Sequence, residues 1–183
     1  MTRLVLDANI YIAASKSIDQ ARQDKCIEIL QFILDANFRV VLNDELLDEW
    51  TRDRGEYVLM WQALMSDGSR LLIDDEPWPE EAALLAARSE NERAIDKDIH
   101  VIRASMNTDR RLLSTDKKLR GALRRALTKP GCPDALRNLH FVIPYDLKEQ
   151  HDALGWLQRG APEDPAFHLD PSAAARSALA PIP

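Results

Sequence analysis

The stretch LVLDANIYIA, residues 4–13, decides how the chain is read, because one aspartate and one asparagine interrupt an otherwise apolar run. A short Val/Leu-rich segment fits a strand buried on both faces. In an open α/β sheet, ligands bind in the crevice outside the carboxyl ends of such strands. Asp7, at the end of LVL, therefore has two readings: the cap of a following helix, or a carboxylate delivered to a functional rim.

Four similar segments recur downstream: FRVVLN (38–43), SRLLID (69–74), RRLLST (110–115) and LHFVIP (139–144). Longer segments of helical period lie between them, at about 18–36, 44–65, 80–106 with a break near Ser89 to Asn91, and 116–128. Such alternation predicts an α/β fold, a three-layer sandwich around a mostly parallel central sheet of about five strands. Residues 1–150 are expected to form this domain, with 151–183 as a Pro- and Ala-rich C-terminal extension. From Gly160 onward no strand or helix period is visible, and an extended tail is expected.

Composition limits the function classes. The 183 residues carry 45% apolar and 30% charged side chains, which suits one globular domain. No apolar run approaches the roughly 18 residues of a membrane span. Only three apolar residues separate Arg3 from Asp7, too few for a secretory leader, so a cytoplasmic location is expected. Cys26 and Cys132 have neither zinc nor disulfide spacing and read as reduced, structural thiols. Net charge is −6, against bulk electrostatic capture of nucleic acid. Residues 103–129, however, hold nine Lys and Arg against two Asp.

Three further acids stand in unusual places. Asp116 follows LLST as Asp7 follows LVL, and is either a helix cap or a second rim carboxylate. On a helical wheel of about 100° per residue, Asp98 falls inside the apolar arc of ERAIDKDIHVIRASM, where it needs a cation, a metal or strong donors. Asp96, Lys97, His100 and Arg103 project to the polar face. In NDELLDEW, Asn43 is a good N-cap, which accounts for Asp44 and Glu45 in the first turn. Glu49 lies at the edge of the buried face shared by Leu46, Leu47, Trp50, Tyr57, Trp61 and Leu64, placed either to look along a crevice or to pair with Arg52 or Arg54. The four tryptophans, Trp50, Trp61, Trp78 and Trp156, read as packing residues.

Convergence of Asp7, Glu49, Asp98 and Asp116 would require a multivalent cation or protonation. An all-oxygen donor set without a Cys or His cluster favours Mg²⁺ or Mn²⁺. Such a site suits hydrolysis of a phosphodiester.

In their order, LVLDAN, LLDEW, DKDIHVIRAS and LLSTDKKLR resemble the PIN-domain family of metal-dependent ribonucleases over about residues 4–145. The resemblance implies that Asp7, Glu49, Asp98 and Asp116 are catalytic, with Asp7, Asp98 and Asp116 as metal ligands. Asn9, Ser114 and Thr115 would support them. It also implies an RNA substrate, an antitoxin partner where members act as toxins, and a homodimer. The helix DKKLRGALRRALTK offers Lys117, Lys118, Arg120, Arg124 and Arg125 as an RNA track, or as a solvated face. The rivals are a PIN-like RNA- or protein-binding module without catalysis, and a phosphoacceptor receiver, which would want adjacent acids after the first strand.

Overall fold

The computed structural model describes residues 1–16, 19–36, 38–52, 55–89, 93–145 and 152–170. Five strands form one sheet: β1 (Arg3–Leu6), β2 (Arg39–Leu42), β3 (Leu71–Ile73), β4 (Arg111–Leu113) and β5 (His140–Val142). Their order is β3-β2-β1-β4-β5, and every pairing is parallel. The central position of β1 explains its unbroken apolar character, since Leu4, Val5 and Leu6 are fully enclosed. Strand order reverses between β1 and β4, so the crevice expected of such a sheet opens beyond Leu6 and Leu113.

Helices cover both faces. Helices α1 (Ala8–Lys16), α2 (Gln20–Asp35) and α4 (Glu56–Asp67) pack on one another, with α9 (Ala153–Gln158) against α2. Helices α6 (Arg93–Lys97), α7 (Ile99–Met106) and α8 (Lys117–Ala126) form a second group, α7 lying on β1 and β4. Parallel crossovers are right-handed almost without exception, so the reversal of strand order at β1 and β4 puts the two groups on opposite faces. Helices α3 (Asp44–Arg52) and α5 (Glu81–Ala87) complete the helices of the described residues. The result is the anticipated three-layer α/β sandwich.

The stretch 4–13 divides at Asp7. Its side chain accepts the Asn9 N–H at 3.2 Å, as an N-cap would, and α1 then buries Ile10, Tyr11, Ala13 and Ala14. Tyr11 meets Trp50 and Trp61 at centroid distances of 3.8 and 5.5 Å. Both indoles are satisfied, Trp50 Nε1 donating to the Leu6 carbonyl and Trp61 Nε1 to that of Leu30.

The segment 44–65, expected to be one helix, is two. Gly55 interrupts it, and a Cβ at that position would sit 2.9 Å from Ser15 Cβ, so the chain passes there too closely for a side chain. Trp61 is buried and Tyr57 half-buried on the expected face, but Leu47 and Leu64, expected beside them, are exposed, as are Leu59 and Met60. Asn43 caps α3 as anticipated, its Oδ1 accepting the Leu46 N–H at 2.9 Å, while its Nδ2 donates to the His100 carbonyl at 2.8 Å. Asn43→Ala therefore loses the cap and strands a buried carbonyl, at a cost of about 1–3 kcal/mol in urea unfolding. A cost below about 0.5 kcal/mol would show the pair to be dispensable.

The extended tail expected from Gly160 is not what residues 160–170 form. They turn back onto β5 through a short 3₁₀ helix (Pro165–Phe167) and an isolated bridge between His140 and His168. Trp156 and Leu169 are fully buried, and the Leu169 N–H donates to the Leu139 carbonyl at 2.8 Å. The apolar side chains that the Pro-rich background conceals, Trp156, Phe167 and Leu169, supply the driving force. The Pro- and Ala-rich residues 171–183 lie outside the described residues. Cys26 and Cys132 are free thiols. Among the described residues no helix is long and apolar enough to cross a membrane.

Candidate metal centre

The carboxyl ends of β1 and β4 are locked together by a polar network. The Asp7 N–H donates to the Leu113 carbonyl at 3.0 Å. Asp7 Oδ2 accepts Ser114 Oγ and Asn9 Nδ2, both at 2.6 Å. Asn9 Oδ1 in turn accepts the Thr115 N–H at 2.8 Å, and Ser114 Oγ accepts the Asp116 N–H at 3.0 Å. Asn9, Ser114 and Thr115 thus orient the two aspartates across the strand-order switch. Thr115 Oγ1 accepts a further bond from Arg22.

Asp116 is also the cap of α8, its Oδ1 accepting the Lys118 and Leu119 N–H groups at 2.7 and 2.9 Å. It is a helix cap and a rim carboxylate at once. Asp98 sits between α6 and α7, at φ −111° and ψ 21°, without any side-chain cap bond. It is 5% exposed, and its ion pair is with Lys97 Nζ at 3.4 Å. Glu49 projects from α3 with Oε2 3.4 Å from His100 Nε2.

All four carboxylates line a single open cleft of about 250 Å³, together with Asn9, Ile12, Arg52 and Lys97. Burial raises the Asp7 carboxyl to about 6, helped by the charges of Asp98 and Glu49 and opposed by the Ser114 and Asn9 donors. Burial also raises Asp98; Asp116 and Glu49 add repulsion while Lys97 opposes them. Charge, not packing alone, is thus concentrated where the sheet opens.

The chemistry of the donor set matches a hard divalent cation. Oxygen donors from separate segments converge, two of them nearly buried and electrostatically frustrated, and no thiol lines the cleft. That set fits Mg²⁺ or Mn²⁺.

Two expectations need correction. His100, assigned to the polar face, is 6% exposed and stands behind Glu49, because α3 packs against α7 and covers that flank while Val101, Ile102, Ser105 and Met106 keep their expected burial. Its Nε2 is buried without a hydrogen-bond partner. Lys97 is solvated as expected, 75% exposed at its side chain, and from there it also lines the cleft and pairs with Asp98. A carboxylate placed in an apolar arc demands a nearby cation, and that demand was the one signal that pointed toward Lys97. The basic helix is likewise not a uniform track. Arg120 is buried at 3% exposure, on the inward face of α8 with Leu119 and Leu123, and Arg124 Nε holds the Leu169 carbonyl at 3.0 Å. Lys117, Lys118 and Arg125 remain exposed. Of the other polar-face residues, Arg103 clamps Glu81 and Glu45.

Comparison of the chain with known protein families, with curated proteins and with solved structures finds no match.

Proposed function

We propose that the protein is a Mg²⁺- or Mn²⁺-dependent ribonuclease of PIN-like type. The observation that carries this reading is the gathering of Asp7, Glu49, Asp98 and Asp116 in one cleft at the β1/β4 switch. When bound there, a divalent ion supplies the positive charge that draws in a phosphodiester and makes water a better nucleophile. Asp7, Asp98 and Asp116 hold the ion. Ser114 and Asn9 keep the Asp7 carboxylate pointed into the cleft, and the cap bonds of α8 do the same for Asp116. Glu49, backed by His100, takes the proton from the attacking water.

RNA reaches the cleft past Lys117 and Lys118, at the start of α8 beside Asp116, and Arg125 lies further along the same helix. Replacing Lys118 and Arg125 by Ala should weaken RNA binding and reduce the slope of log K against log salt by roughly 0.7 for each phosphate no longer neutralised. An unchanged slope returns these side chains to a solvated face.

The direct test is incubation of the purified chain with single-stranded RNA, with Mg²⁺, with Mn²⁺ and with EDTA. Cleavage that needs the ion supports the proposal. A second reading, a non-catalytic RNA- or protein-binding module, draws on Lys97, whose ammonium already neutralises part of the cleft. It expects RNA or partner retention with no cleavage under any metal. On the nuclease reading the chain works in the cytoplasm with reduced thiols, and copurification tests the antitoxin and homodimer that the family resemblance implies.

A further inference from the structure

The opposite end of the sheet carries a second cluster of metal-ligating side chains. His140 opens β5, and its register partner on β4 is Arg111, the first residue of that strand. It therefore lies at the amino rim, away from the carboxyl rim that holds the cleft. Glu163 and His168 come from the segment that folds back onto β5. The ligand atoms of the three residues lie within 4.8 Å of one another.

Both imidazole–carboxylate contacts are long, although His168 Nε2 still lies within hydrogen-bonding range of Glu163 Oε2 at 3.4 Å. Glu163 Oε2 stands 3.3 Å from His140 Nε2 and 3.4 Å from His168 Nε2. A charge-assisted N–H···O contact would close to about 2.7–2.9 Å. Zinc bonds of about 2.0–2.2 Å, by contrast, give a tetrahedron with edges of roughly 3.3–3.6 Å. Both edges that run to the carboxylate have that length already.

The rings are built in. His140 is 0% and His168 8% exposed, and their planes meet edge to face with centroids 4.6 Å apart. Trp156 stacks on the His140 ring. In both rings the nitrogen turned toward Glu163 is Nε2, while Nδ1 is buried on the other edge of the ring.

We propose that His140, Glu163 and His168 form a three-ligand zinc site that ties residues 163–168 to the amino end of β5, with water in the open fourth position on the exposed Glu163 side. Two imidazoles and one carboxylate suit zinc better than magnesium. The Asp164 N–H, which donates to His140 Nε2 at 3.0 Å, gives up that lone pair to the metal. One neutral hydrogen bond is lost in exchange for a metal–nitrogen bond. The clasp does not depend on what the cleft does.

Chelator-treated protein titrated with Co²⁺ tests the site through its visible absorption. The wild type should develop the intense bands of tetrahedral cobalt, saturating at one equivalent and bleached by Zn²⁺. Glu163→Gln and His168→Gln should each weaken this binding by at least about tenfold, the loss seen even for partners of metal ligands. Glu163 is 72% exposed at its side chain, so its variant retains the fold. Asp98→Asn in the cleft should leave the bands unchanged. Absence of tetrahedral bands in the wild type, or bands equally strong in Glu163→Gln, overturns the site; bands lost in Asp98→Asn assign the ion to the cleft and do the same.

Discussion

Asp98→Asn should reduce metal-dependent RNA cleavage by about a hundred- to a thousandfold, the range for removing one preorganised electrostatic group from an active site. Stability should move by no more than about 1 kcal/mol, since the side chain contributes only a pair to a Lys97 that is 75% exposed. The isosteric amide removes the charge while keeping the shape, and it relieves repulsion with Asp116 and Glu49. Activity and stability therefore part company, which a structural role for Asp98 would not allow. Single-turnover cleavage of a labelled RNA, alongside a thermal melt, reads both quantities. Full activity in Asp98→Asn would remove this residue from the metal set. Full activity in Asp7→Asn as well would end the nuclease reading of the cleft.

How far this site was legible depends on which physical signal each residue leaves in the chain. The strands were readable because β1, β2, β4 and β5 are buried on both faces and so write themselves as short Val/Leu runs. Asp7 and Asp116 were readable for the same reason, as charges placed where those runs stop. Asp98 is legible on a helical wheel, and Val101, Ile102, Ser105 and Met106 keep the same phase beyond it; the burial of His100 is not legible, because α3, from another part of the chain, covers that flank of α7. The Gly55 break was hidden because its cause is the approach of Ser15, forty residues earlier in the chain. Arg120 shows the same limit. Basic periodicity on α8 suggested a track, but packing against α6 turns one arginine inward, and only tertiary structure decides which. The His140–Glu163–His168 cluster left no spacing signal, since strand and return segment are joined by a stretch with no regular period.

The charge of Asp7 should also set how stability varies with pH. Its carboxyl titrates at about 6 in the folded chain against 3.8 as a free side chain, so the folded state holds its proton more tightly. Below about pH 4 both states are protonated and the group contributes nothing. Between about 4 and 6 the unfolded chain releases the proton while the folded chain keeps it, so stability falls as pH rises. Above about 6 the loss is complete, at about 3 kcal/mol for the full shift. In EDTA, urea unfolding of the wild type and Asp7→Asn should therefore diverge progressively between about pH 4 and 6 and stay apart above that, the variant gaining by about that amount. The constant cost of altered bonds to Ser114 and Asn9 cancels in this difference. Mg²⁺ should abolish the divergence by binding only the folded, ionised cleft; at a hundred times its dissociation constant an ion returns about 2.7 kcal/mol. Parallel pH curves for the two chains would mean that Asp7 is already stabilised by its donors, and that the cleft has no electrostatic need of a cation.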